Sequence, residues 1–180
     1  GELVQYALAK YRRDNDKTTL EDAEEFYVEH QEEYPTDAWH IAALGQLYYH
    51  LNDLPTAIDY MRQTLEIPHL SAKLRATFLA HTMHYCIHYY RFNPDVELME
   101  SVRSMAEEWL QLYRNTVLTG DMHSQRYYPR IVRWKCQAEI ALELPDAAEE
   151  DLQLLTRAFP HDIRLPELRA LIRELRQQQK

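Results

Sequence analysis

Two Ala-centred signatures recur at a fixed interval and limit the chain to a narrow set of folds. The first is Ala23, Tyr27, His30 and Pro35; the second is Ala57, Met61 and Thr64, with Pro68 one residue early. Ala23 to Ala57, Tyr27 to Met61 and Tyr11 to Gly45 are each separated by about 34 residues. Ala148, Leu152, Leu155 and Pro160 repeat the spacing of the first set near the end. Self-similarity of this period is the mark of stacked helix pairs, since one pair cannot bury its apolar face alone.

The segment Ala38 to Ser71 carries the fullest copy. Trp39 and Ile41 open its first helix, Leu44-Gly45 and Tyr48 follow, and Ala57, Met61 and Leu65 lie on the second. This set resembles the tetratricopeptide repeat (TPR) family, whose pattern sets Trp, Leu-Gly and Tyr on one helix and Ala, an aromatic and Pro on the next. Trp39 stands two residues early and Pro68 one. The copy from Val4 to Asp37 keeps its second half, with Tyr11 where the family favours Gly. The copy from about Pro129 to Asp162 has Cys136 at that place and Glu139 where the family favours Tyr. The copies cover somewhat over half the chain.

The resemblance implies an all-α, right-handed α-solenoid of about four antiparallel helix pairs plus a C-terminal capping helix. Its repeats are expected at 4–37, 38–71 and 129–162, with an expanded, divergent one at 72–119 and the cap at 163–180, all in a single domain. Gly45 and Ala57 are read as the small residues that let two helices close on each other, with Leu44, Tyr48, Met61 and Leu65 filling the space between.

Composition agrees with a helical chain. Gly occurs only 3 times in 180 residues, which leaves no Gly-rich phosphate loop, and helix formers such as Leu, Ala, Glu, Gln and Arg abound. A net charge of -9 argues against nucleic acid as a partner, since a basic footprint is absent. The two cysteines, Cys86 and Cys136, sit in apolar helical runs and read as reduced structural thiols. No run of apolar residues is long enough to span a bilayer. The chain opens on Gly1 inside a helical run, which suggests a fragment of a longer protein. The expected compartment is the cytoplasm, with any tether to a membrane supplied by other parts of the parent protein.

Punctuation bounds the helices. The first is expected from Leu3 to Arg13, closed by Asp14-Asn15-Asp16. Thr19 is expected to cap the second, which Pro35 ends. Thr36-Asp37 caps the third, to about Leu51; Asn52-Asp53 and Pro55 open the fourth, which Pro68 closes. One long helix is expected over 71–90 and another from Asn93-Pro94-Asp95 to Val117, ended by Thr119-Gly120. Pro129 either starts a helix, as the repeat implies, or interrupts one that began earlier. Leu144-Pro145-Asp146 and Pro166 introduce the last two helices.

Chemistry-bearing clusters are few. His81, His84 and His88 fall within roughly 60° of one another on a helix, a face that could ligate zinc or copper. That helix carries no Asp or Glu to serve as second shell, so imidazoles hydrogen-bonded to neighbours are the competing account. No nucleophile–base arrangement is visible, and an enzyme is not expected. The carboxylates of Glu24-Glu25, Glu32-Glu33 and Glu149-Glu150 read as solvated surface. No cofactor is expected.

In the TPR family the first helix of each pair lines the concave face. The resemblance then assigns Gln5, Leu8 and Arg12, then Trp39, Ala42, Gln46 and Tyr49, then Arg130, Arg133 and Gln137 to that face. The expected function is a non-catalytic protein–protein interaction scaffold that binds a partner segment there. By family habit its setting is a larger, membrane-associated bacterial assembly. Arg12, Arg130 and Arg133 would concentrate positive charge along it, or else pair with acids of neighbouring helices. Leu8 and Ala42 stand where a carboxylate clamp would need Lys, so a chaperone-tail adaptor is not expected. A metal- or ligand-binding regulatory role for the His81, His84 and His88 face is the alternative.

Overall fold

The computed structural model describes residues 2–115 and 122–179. Among them are nine α-helices and no strand: α1 (Glu2–Asp14), α2 (Thr18–Glu29), α3 (Ala38–Leu51), α4 (Leu54–Glu66), α5 (Ala72–Tyr90), α6 (Val96–Asn115), α7 (Met122–Ala141), α8 (Pro145–Ala158) and α9 (Leu165–Gln178), with a single 3-10 turn at Gln31–Glu33. The chain divides into two compact units, Gly1–Tyr89 and Tyr90–Lys180.

The punctuation read from the sequence sets most helix ends. Asn15 and Asn52 take the left-handed conformation, at φ 53° and 70°, and stop α1 and α3. Asp37 accepts hydrogen bonds from the backbone N–H of Trp39 and His40, at 2.8 and 3.2 Å, and so starts α3. Asp53 and Asp95 cap α4 and α6 in the same way. Thr19 does not cap α2: it is buried inside the helix, and the Asp16 carboxylate takes the Thr18 N–H and hydroxyl instead. Nor does α2 last to Pro35; it ends at Glu29, His30 closes it, and the 3-10 turn follows. Pro129 lies inside α7, one residue of a helix already under way. Its missing N–H costs that helix one hydrogen bond. The expected stop at Thr119-Gly120 lies outside the described residues.

In the first unit, α2 runs back along α3, because Tyr27 meets His40 near the start of α3 while Glu24 takes the Tyr48 hydroxyl near its end, at 2.5 Å. Helices α1, α3 and α5 share one direction. The start of α1 lies beside Trp39 and Ala42, and Tyr11 meets His50 farther along. On the other side Phe78 meets Trp39 and Tyr85 meets Tyr49. Val4, Ala7, Leu8, Leu20, Ala23, Tyr27, Ala43, Leu44 and Leu47 form the core between α1, α2 and α3. Consecutive helices packed in this way are consistent with a helical repeat. Gly45 permits the close α3–α4 crossing: a Cβ there would stand 2.9 Å from Met61 Sδ and 3.3 Å from the Ala57 carbonyl oxygen.

In the second unit α6, α7, α8 and α9 follow one another, each against the next, and α9 also reaches back to α7. Trp109, Ile131, Leu152 and Leu155 are fully enclosed. Helix α9 buries Leu165, Leu168, Ile172 and Leu175 and turns its charged residues outward. Its Leu171 is exposed.

Candidate functional site

Of the expected binding residues, Trp39, Gln46 and Tyr49 lie with Ala42 on one face of α3. Spacings of three and four bring all four onto one side of the helix. Trp39, Ala42, Ala43 and Gln46 form one wall of an open groove of about 420 Å³, and Glu2, Val4 and Gln5 of α1 form the other. Ala42 and Ala43 keep the floor low. Gln5 and Gln46 present amides, each with donors and an acceptor, and Glu2 supplies the one charge.

Trp39 is 54 % exposed, unusual for so large an apolar side chain. Its ring stands edge-on to Phe78, at 5.7 Å and 74°, so it is oriented from beneath and open above. Leu8 does not line the groove; it is 4 % exposed and belongs to the core, because α1 turns that side toward α2. Arg12 is exposed and lies close enough to His50 for its charge to act there.

Tyr49 continues the face at its far end. It stacks on Tyr85 with ring centres 4.3 Å apart and planes at 13°, and its hydroxyl is 3.1 Å from His84 Nε2. His88 and His50 approach its ring at 5.7 and 5.2 Å. The three histidines singled out from the sequence thus surround tyrosines. Among the described residues no group of three His, Cys, Asp or Glu is placed to hold a metal ion. Burial, aided by the Arg12 charge, holds the His50 imidazole below its ordinary pKa.

The second unit carries Arg130, Arg133 and Gln137 on α7. Arg133 donates to Asp162 at 3.3 Å, with both side chains largely enclosed, so its charge is spent inside the unit. Arg130 is exposed and lies over the Tyr127 ring at 5.9 Å. Gln137 is half-buried.

Sequence reasoning missed an ionic cluster in that unit. Lys135 donates to Glu139 and, at 3.0 Å, to Asp151, while Arg103 Nε lies 3.7 Å from the same Glu139 oxygen. Glu139 is fully buried. Burial pushes its carboxyl up, against the pull of Lys135. The signal was present: an acid one turn after Lys135, flanked by Cys136, Ala138 and Ile140, has its own helix face pointing inward. Glu24 also departs from the reading as solvated surface, since it is half-buried and accepts the Tyr48 hydroxyl. Cys86 and Cys136 are free and buried, and burial lifts both thiols to about 12, which leaves them inert as nucleophiles.

No helix among the described residues is long and apolar enough to cross a membrane. No protein-family model matches the chain, and no curated protein matches it.

Proposed function

We propose that the chain is a right-handed, TPR-like array acting as a non-catalytic scaffold, and that it docks a segment of another protein in the groove between α1 and α3. The observation that carries this reading is the groove itself. An aromatic ring is held open to solvent beside an alanine floor, between two glutamine amides. Trp is among the residues enriched as anchors in protein interfaces. Amides on both rims can meet the donors and acceptors of a peptide backbone, and small residues between them leave room for its side chains. The repeat spacing supports the same reading, because it reached Trp39, Gln46 and Tyr49 through the family's concave face. Setting the scaffold inside a larger membrane-associated assembly belongs to the proposal as well.

A displayed library of random peptides tests it. Selection on the wild-type chain, with counter-selection on Trp39→Ala, should enrich peptides that fail to bind Trp39→Ala and Gln46→Ala. A library that yields no binders, or only binders indifferent to both substitutions, removes the groove from consideration.

A further inference from the structure

Helices α8 and α9 lie antiparallel. Arg176, near the end of α9, donates to Asp146 at the start of α8 at 3.1 Å, and the Gln179 amide reaches the Glu143 carbonyl just before it. The same Arg176 guanidinium lies 3.7 Å from Glu149. Two turns along the pair, this arrangement recurs with its acids missing. Gln153 and Thr156 stand seven residues after Asp146 and Glu149, and Arg169 stands seven residues before Arg176. In an antiparallel helix pair such positions oppose each other. Gln153, Thr156 and Arg169 do line one pocket, of about 230 Å³, together with Glu149, Arg157 and the buried Leu152.

We infer that this pocket binds a phosphate monoester, whose oxygens take the place of the missing acids between Arg157 and Arg169. Both arginines are exposed, and among the described residues neither joins an ion pair or a side-chain hydrogen bond. Neither has an acid three or four residues away on its own helix. Arg103, Arg133, Arg164 and Arg176 of the same unit each meet a carboxylate instead. The one acid in the lining, Glu149, stands at the far end, about 10 Å along α8 from Thr156, with Arg176 beside it. Asp151 of α8 is held by Lys135 at 3.0 Å. Arg157 lies in the last turn of α8, where the helix dipole favours a cation without neutralising it. The Thr156 hydroxyl already donates to the Leu152 carbonyl at 2.7 Å, so the donors for a ligand are the two guanidinium forks and the Gln153 amide. A carboxylate offers two oxygens and one charge. A phosphate monoester offers three oxygens and a charge of about -1.5 to -2 at neutral pH, which matches two guanidinium forks. A phosphorylated side chain of a partner and a free phosphate ester present the same group. The site lies wholly in the second unit and owes nothing to the groove between α1 and α3.

The test is calorimetric titration at about pH 7.5, where the monoester is mostly dianionic. The probes are inorganic phosphate, a short Gly–Ala peptide with a central phosphoserine, and the same peptide with Glu in its place. Phosphate and the phosphopeptide should each bind at one site, and the Glu peptide at least about tenfold more weakly than the phosphopeptide. Arg157→Gln and Arg169→Gln should each weaken phosphopeptide binding at least about tenfold, whereas Arg13→Gln, with the same change in net charge on the exposed surface of the first unit, should not. Gln153→Glu rebuilds the acidic rung from within the chain and should abolish binding without lowering the melting temperature. Circular dichroism checks that every variant is folded. A phosphopeptide bound far more tightly than phosphate supports the pocket with a partner segment as the source, and equal affinities support it with a free ester as the source. Binding that survives both arginine substitutions, or falls equally in Arg13→Gln, overturns the inference. Equal capture of the Glu peptide overturns the phosphate class, and no binding of either phosphate probe overturns the site. None of these outcomes bears on Trp39 and its groove.

Discussion

Gly45 lies so close beneath Met61 that a Cβ added to it would stand 2.9 Å from the sulfur and 3.0 Å from Cγ. The pair explains why a glycine is worth its cost in the middle of α3. Glycine there forgoes about 1 kcal/mol of helix propensity relative to alanine. Gly45→Ala should recover that and lose about 1–3 kcal/mol to overpacking, a net destabilisation of about 1 kcal/mol. In a Met61→Ala background the clash with the sulfur is gone and only the tight approach to the Ala57 carbonyl remains, so the same substitution should cost less or stabilise. A double-mutant cycle by chemical denaturation reads the coupling directly.

Ala57 faces the same contact from α4 and is fully buried, with its carbonyl oxygen 3.3 Å from the position of that Cβ. Ala57→Arg should cost at least about 3 kcal/mol, because the guanidinium has no route to water. Thermal melts of the variant check this, and an unchanged midpoint would contradict the close α3–α4 crossing.

The two α7 arginines should behave differently. Arg133→Glu places a second acid against Asp162 in a largely enclosed site, and the second unit should lose about 2 kcal/mol or more. Arg130 is exposed, and Arg130→Glu should stay within about 0.5 kcal/mol of wild type. Reversing both charges together therefore does not leave the fold untouched, so a binding loss in the double variant would report stability as well as contact. Denaturation curves of the two single variants separate the effects.

Glu139 gives the second unit a pH dependence of definite sign. Burial raises its carboxyl from 4.5 to about 7, so the folded chain holds that proton more firmly than the unfolded one. Its stabilising contribution is complete below about pH 4.5 and is lost as the pH rises through about 7. The melting temperature of the second unit should fall over that interval, and Glu139→Gln should flatten the curve. Melting profiles across the range, wild type against variant, decide it.

The legibility of this chain follows from where its information is local. Helix ends set by Asn15, Asp37, Asn52, Asp53 and Asp95 were readable because each cap acts on backbone within three or four residues of itself. Thr19 misled because Asp16, three residues earlier, offers a stronger acceptor and starts α2 sooner. Trp39, Gln46 and Tyr49 were assigned to one face of α3 through the resemblance to the TPR family. Their partners Glu2, Gln5 and Phe78 depend on how neighbouring helices stack. Arg133 was hardest, since an ion pair across helices leaves no mark in the spacing of either partner, whereas the Lys135–Glu139 pair, one turn apart on α7, was visible in the spacing and only the full burial of Glu139 was not. The histidine spacing on α5 was plain from the sequence, whereas its meaning changed once Tyr49 and Tyr85 proved to lie among the imidazoles.

The groove reading is tested most directly by the affinity of a library-selected peptide for wild type against Trp39→Ala. The substitution removes a ring that is half in solvent, so the fold should lose only about 1 kcal/mol and remain intact at the binding temperature. Affinity should fall at least about tenfold, the loss expected of a central aromatic anchor. A dissociation constant unchanged by Trp39→Ala, in a variant shown to be folded, would contradict the account.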